Sequence, residues 1–242
     1  VDWHRRVVDR SLRSATQKSI DRGASLIAAA ATLLERSNGE GFTVQEVADE
    51  AGQSLRTLYQ YFESKDDLIL ALFEETQKAY AGMIRKAIAD LDDPLERLAG
   101  ALFAAARMPE RSTGGVDVGM SRLRLKLREV EPELVARSQA PLRSLFIELY
   151  DAAAAAKQED GAGLDVRATD PAVYLLIAIN NAFITSQVLG NESGLHLPEV
   201  RELVRFAMQG LGTVHDDAWY DKVAKQVKLP AGRLAESKKP RK

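Results

Sequence analysis

The sequence predicts an all-α protein. Apolar residues recur at helical spacing through nearly every section, and no segment of useful length alternates at the period of a strand. Proline, glycine and Asn-Gly punctuation cuts those sections into pieces of helix length. At 242 residues the chain can bury a sizeable core, in one or two domains. With 45% hydrophobic and 28% charged residues it reads as a soluble globular protein rather than a disordered one. The absence of cysteine excludes disulfides and thiolate metal sites. A formal net charge of −2 means that any nucleic-acid role must rest on local charge and on a motif. No apolar run approaches bilayer length and no charged-then-apolar leader opens the chain, so no membrane role and a cytoplasmic location are expected. The chain begins at Val1 rather than Met, so its natural start is expected upstream. Asn191-Glu192-Ser193 matches a glycosylation sequon by chance in such a context.

Residues 1–18 carry Arg5, Arg6, Arg10, Arg13 and Lys18 without a sustained apolar stripe, and are expected to be a flexible basic arm. From Ser19 to about Arg36 the positions Ile20, Ala24, Ile27, Ala31 and Leu34 keep a helical period, which Asn38-Gly39 and Gly41 end. Thr43 is placed to cap a short helix with Val44, Val47, Ala48 and Ala51 on one face. Gly52 then supplies the left-handed backbone of a sharp turn. Ser54 caps a second short helix with Leu58 and Tyr61 on its apolar side. Two helices joined so tightly form a helix-turn-helix or a plain αα-hairpin.

Ser64, with Asp67 in capping-box position, opens a long helix to about Ala89. Leu68, Leu72, Thr76, Ala79, Met83 and Ala87 line one side of it, and its length suits a strut between domains. Further helices are expected at 95–108, 116–128, 131–157, 170–189 and 198–211. A loop (109–115) and a flexible connection (158–169) lie between them. Trp219, Val223 and Val227 lie four apart, as in a short amphipathic helix that docks on the core or on a partner subunit. Lys238, Lys239, Arg241 and Lys242 read as a solvated basic tail. The expected domains are therefore an arm (1–18), a three-helix unit (19–66), a larger helical domain (67–215) and a tail (216–242).

The three-helix unit resembles the DNA-binding domain of the TetR family of transcriptional regulators. Phe42-Thr43-Val44, Val47-Ala48, Ala51-Gly52, Thr57-Leu58-Tyr59, Tyr61-Phe62, Ser64-Lys65 and Leu68 carry the resemblance, over about a quarter of the chain. The family usually has glycine where Arg56 stands and often an apolar residue at Gln53, so base preference does not transfer. Beside the resemblance, the first turn of the second helix, Ser54 to Thr57, should face base edges. Arg56 can bond a guanine through O6 and N7 or simply meet a phosphate. Thr57, Tyr59, Tyr61 and Gln60 are polar candidates for DNA, Tyr61 being equally a core candidate, and Leu55 can touch a thymine methyl. Lys65 and the amino end of the long helix are expected to clamp one phosphate, with Gln45 and Thr43 nearby. The basic arm is either a minor-groove contact or functionless.

The resemblance further implies a homodimer on a pseudo-palindromic operator and a small-molecule effector, with no cofactor. Dimer contacts are expected from Val173, Ile177, Ile184 and Val188 on one helix and Leu203, Phe206 and Leu211 on the next. Candidate pocket residues are Phe103, Met108, Met120, Phe146, Tyr150, Asn180 and Phe183, whose apolar bias suggests a hydrophobic effector. Asn180 and Asn181 must find partners if buried, in a ligand or across a dimer axis. The function implied is a ligand-responsive regulator, in the family's commoner role a repressor. The alternatives are a helical adaptor or an enzyme on the same fold. His4, His196 and His215 lack metal spacing, and no nucleophile motif or phosphate loop is present, so neither catalytic nor metal residues are assigned.

Overall fold

The computed structural model describes residues 3–111, 116–159, 169–190 and 194–229, and all the elements among them are helical. α1 spans Trp3–Arg36, α2 Val44–Glu50, α3 Leu55–Tyr61 and α4 Lys65–Ala87. α5 (Pro94–Arg111), α6 (Val116–Val130), α7 (Pro132–Ser138) and α8 (Ala140–Glu159) follow. α9 (Thr169–Leu189), α10 (Val200–Gly210) and α11 (Asp217–Gln226) complete the order.

The helix ends follow local chemistry. Thr43 and Glu46 form a reciprocal capping box on α2: the Glu46 amide donates to Thr43 Oγ1 (3.2 Å) and the Thr43 amide to Glu46 Oε2 (2.7 Å). Ser54 accepts from the Thr57 amide and Ser64 from the Asp67 amide, capping α3 and α4. Gly52 (φ +62°) turns the chain between α2 and α3. Pro132 occupies the first turn of α7.

Several expectations change. The arm is no separate segment: α1 is continuous from Trp3, since nothing before Gly23 breaks a helix. Its described side chains from Val7 to Arg22 are exposed, and its buried face is Leu26, Ala29, Ala30 and Leu34, with Ile20 and Ala24 on the solvent side. The single helix expected at 131–157 is two, α7 and α8. Pro141 offers no amide to continue α7 and would crowd the carbonyl of Arg137. α5 runs to Arg111, beyond the loop start expected at 109. α9 is, by length and composition, long and apolar enough to cross a membrane, contrary to the sequence reading, yet five of its residues are buried in the body. The connection at 160–168, Asn191 and the basic tail lie outside the described residues.

Two apolar cores lie along α4. Leu26, Leu34, Val47, Leu58, Phe62 and Leu68 form the first, which Met120, Leu123 and Leu134 of α6 and α7 complete. Phe103, Phe146, Leu149, Tyr150, Val173, Met208 and Tyr220 belong to the second. α6 is pressed onto α1. A methyl group at Gly119 would stand 2.8 Å from the Leu34 carbonyl oxygen, closer than real contacts allow, so only glycine permits this approach. Arg122 donates to the Asn38 carbonyl (3.1 Å) and Lys126 pairs with Glu40 (3.3 Å) beside it. α11 docks on the body, held by Lys222–Glu96 (2.6 Å) and by Arg107 donating to the Ala224 carbonyl (3.1 Å).

Candidate nucleic-acid interface and internal cavity

α2 and α3 divide their side chains between holding the turn and facing solvent. Leu58 is fully buried, and Tyr61 is half-buried against α1, its hydroxyl 3.4 Å from Ser19 Oγ. Tyr61 is thus a packing residue as much as a contact. Gln53 ties the turn to α1, donating to Ser25 Oγ (2.5 Å) and the Arg22 carbonyl (3.1 Å), which is why a polar residue serves there. Ser54 and Thr57 bond one another through their hydroxyls (2.8 Å), and Thr43 Oγ1 donates to Glu46 (2.8 Å). These three hydroxyls are engaged in capping, a correction to their place among free DNA ligands. The bonds from Thr43 also hold the Glu46 carboxyl below its ordinary range. Gln45 donates to Asp49 within α2 (2.9 Å) and is exposed. Leu55 is half-buried.

What remains is a compact exposed set. Arg56, Tyr59 and Gln60 point off α3 with no intramolecular bond among the described residues, Tyr59 being 51% exposed. Lys65 is exposed at the amino end of α4, its ammonium 5.6 Å from the centre of the Phe42 ring. Asp67, one turn in, accepts from the Glu63 amide (3.1 Å). A polar ridge on a short helix, with a cation and helix-end amides beside it, is chemistry suited to phosphates and base edges. Of the two alternatives for the basic residues before Ser19, the minor-groove contact does not fit a helical segment. An α-helix is about 10–12 Å across, whereas that groove is about 6 Å wide.

A cavity of about 680 Å³, its open mouth included, lies between α4, α5, α6, α8 and α9. Met108, Met120 and Asn180 line it, as the sequence suggested. Phe103, Phe146 and Tyr150 do not; they are buried in the second core, and Phe183 packs with Ala106 and Leu203. The missed residues include Gln77 and Tyr80 of α4 and Arg124 of α6, while Asn181 of α9, which the sequence marked as needing a partner, also lines the cavity. Helical periodicity identified their helices but not which flank of each would face the gap. Arg124 donates to Asn181 Oδ1 (3.1 Å) and Thr185 Oγ1 (2.9 Å), so the adjacent Asn181 finds its partner within the subunit.

The expected dimer set also divides. Val173, Leu203 and Leu211 are buried within the subunit, a correction. Ile184 lines the cavity, Ile177 and Val188 are half-buried, and Phe206 is 67% exposed. α9 is apolar all round, so its sequence alone could not reveal which face its neighbours cover. The uncovered apolar residues are Tyr174 and Leu175 of α9 together with Phe206 of α10.

A short helix is thus offered to solvent by a tight turn, on a helical body with a partly open gap between its helices. Residues 26–72 match the family described as "Bacterial regulatory proteins, tetR family", so the likeness to that family lies in this domain. HTH-type transcriptional regulator HbdR of Aromatoleum sp. (strain CIB) is 32% identical over 84 residues, 35% of this chain. The match spans 37% of the relative's own length. The RolR structure in complex with resorcinol aligns with a TM-score of 0.56 at 17% identity, covering 90% of this chain and 99% of that one. FadR from Bacillus subtilis in complex with stearoyl-CoA aligns with a TM-score of 0.59 at 17% identity, covering 79% and 98%. At these identities the structural likeness is one of fold.

Proposed function

We propose that the protein is a transcriptional repressor that binds a pseudo-palindromic DNA operator as a homodimer and leaves it when a small effector enters the cavity. The observation that carries this reading is the exposed ridge Arg56, Tyr59, Gln60 and Lys65, which the fold leaves unused. HbdR, similar over 84 residues, is a transcriptional regulator, and RolR and FadR, similar in fold, have been seen with small molecules bound. One unit reads too few base pairs to select a genomic site, so two are required. Tyr174, Leu175 and Phe206 supply the apolar face for the second copy, in place of a lipid contact for α9. The protein is read as a cytoplasmic binding protein, not an enzyme.

The release mechanism follows from α4. Lys65 stands at its DNA end, while Thr76, Gln77, Tyr80 and Ile84 line the cavity about three to five turns on. An effector that fits only one placement of this helix changes the separation of the two recognition helices. It does so only through unequal affinity for the two placements. A mobility-shift titration on the promoter beside the protein's own gene tests the reading. Specific retention is expected at ~150 mM salt against competitor DNA, where nonspecific affinity collapses. Binding no stronger than to competitor, on every neighbouring promoter, would refute it.

A further inference from the structure

The cavity holds a positive charge that the fold leaves uncompensated. Both groups that Arg124 reaches, Asn181 Oδ1 and Thr185 Oγ1, are neutral. Among the described residues no carboxylate forms an ion pair with it. Burial, and after it the nearby Arg128, pull its pKa down, the mark of a cation held without a counter-charge. A guanidinium carries five donors in a planar fork suited to a carboxylate or phosphate, and leaving it desolvated and unpaired is unfavourable.

Two further groups that line the same cavity lack partners. Asn180, on α9, is 3% exposed, and its Oδ1 is shielded from solvent with no hydrogen bond. Gln77 Oε1, on α4, is likewise shielded and unpaired. Buried amide oxygens in this state call for a donor. A purely structural tie between α6 and α9 accounts for the two bonds of Arg124. It accounts for neither the missing counter-charge nor the two idle acceptors, and all three residues line one cavity.

We propose that the effector is an organic anion: its acidic group docks on Arg124, its apolar body lies against Phe73, Met108 and Leu142, and a hydroxyl or N–H donates to Asn180 or Gln77. This refines the hydrophobic effector expected from sequence and rests on the effector reading above. It also gives the ligand a lever. Arg124 lies just over one turn from Gly119, where α6 presses on the Leu34 backbone of α1. An anion that draws the guanidinium from Asn181 and Thr185 loosens α6 from α9 and alters its brace on the DNA-binding domain.

The test uses the full chain with three probe series: hydroxyphenyl-alkanoates, medium-chain hydroxyalkanoates and alkyl phosphates. Each carboxylate is measured beside its neutral primary amide. Thermal shift and titration calorimetry report binding, and mobility shift reports release of DNA. Acids of at least one series are expected to bind about tenfold more tightly than their amides, the equivalent of one charge-assisted hydrogen bond. Phosphates binding above carboxylates would name the acid group without changing the site. Arg124→Gln should erase the preference, while Arg124→Lys retains part of it, which separates lost charge from lost folding. Removing the hydroxyl from the probe should weaken binding to the parent but not to Asn180→Leu. Amides that bind as well as acids, an undiminished acid preference in Arg124→Gln, or no binding by any acid at millimolar concentration would overturn the proposal. Acid binding that leaves the DNA complex intact would uphold the anion site and refute the effector reading instead.

Discussion

Around α3 a single turn of helix separates side chains that build the structure from those that are free to act. Ser54 and Thr57 satisfy each other, and Arg56 between them reaches solvent. Replacing Arg56, Tyr59 or Lys65 by alanine removes no core contact, so stability should change by about 0.5 kcal/mol or less. Operator affinity should fall by about 1–3 kcal/mol for Arg56 if it reads a base. Anisotropy titration with wild-type and altered operators checks this, and equal affinity across the three variants would remove them from the interface. Thr43→Ala should instead lower stability by about 0.5–2 kcal/mol through the lost cap, measured by denaturant unfolding. His215 stacks on Trp219, ring centres 3.9 Å apart. Burial, then Lys157, depress its pKa below the ordinary 6.5, against the smaller pull of Asp93, Asp216 and Glu96. The unfolded chain therefore binds this proton more readily, and the His215 contribution is complete above pH 6.5 and lost as pH falls through the lower folded value. His215→Phe should flatten the decline in melting temperature over that window; an identical slope in the variant would count against it. Such residue roles were partly legible in the sequence. Caps read well, because they depend on neighbours three residues away. The cavity residues read poorly, because a shift of one or two positions around the helix exchanges Phe183 for Ile184 or Phe103 for Ala105.

Helices were legible in proportion to how local their causes are. Gly52, Ser54, Ser64 and the Asn38-Gly39 stop fixed α2, α3 and the start of α4 within a residue or so. The continuity of α1 was missed because the absence of an apolar stripe was taken for absence of a helix. Exposed helix needs only good helix formers and no breaker. The α7–α8 break was missed although Pro141 announced it. Long-range packing left one readable trace that only the structure interprets, Gly119. Gly119→Ala places a methyl 2.8 Å from the Leu34 carbonyl oxygen and must push α6 off α1. We expect a loss of about 1–3 kcal/mol, read as a lower melting temperature, and altered operator affinity at temperatures where the protein is folded. An unchanged melting temperature would show that α1 and α6 yield without strain, and would weaken the role of α6 as a brace.

At the scale of the molecule, α4 belongs to both cores, borders the cavity and carries Lys65 at its amino end, the placement that the proposed ligand-responsive release requires. The fold class followed from the sequence. The proposed dimer face did not, because the apolar residues of α9 are not gathered on one side. We propose that exposed Tyr174 (71%) and Phe206 mark it. Combining Tyr174→Glu with Phe206→Glu should yield a folded monomer by sedimentation, with operator affinity reduced to that of a single half-site. A persistent dimer would place the interface elsewhere. The central claim, that the α3 ridge reads DNA sequence, is tested most directly by selecting bound fragments from randomised duplex DNA with the full-length protein and with the Arg56→Ala/Tyr59→Ala double variant. The account predicts one enriched pseudo-palindrome for the wild type, with enrichment lost or changed at the bases nearest α3 in the variant. No enriched sequence for the wild type, or the same sequence at the same strength for the variant, would contradict it.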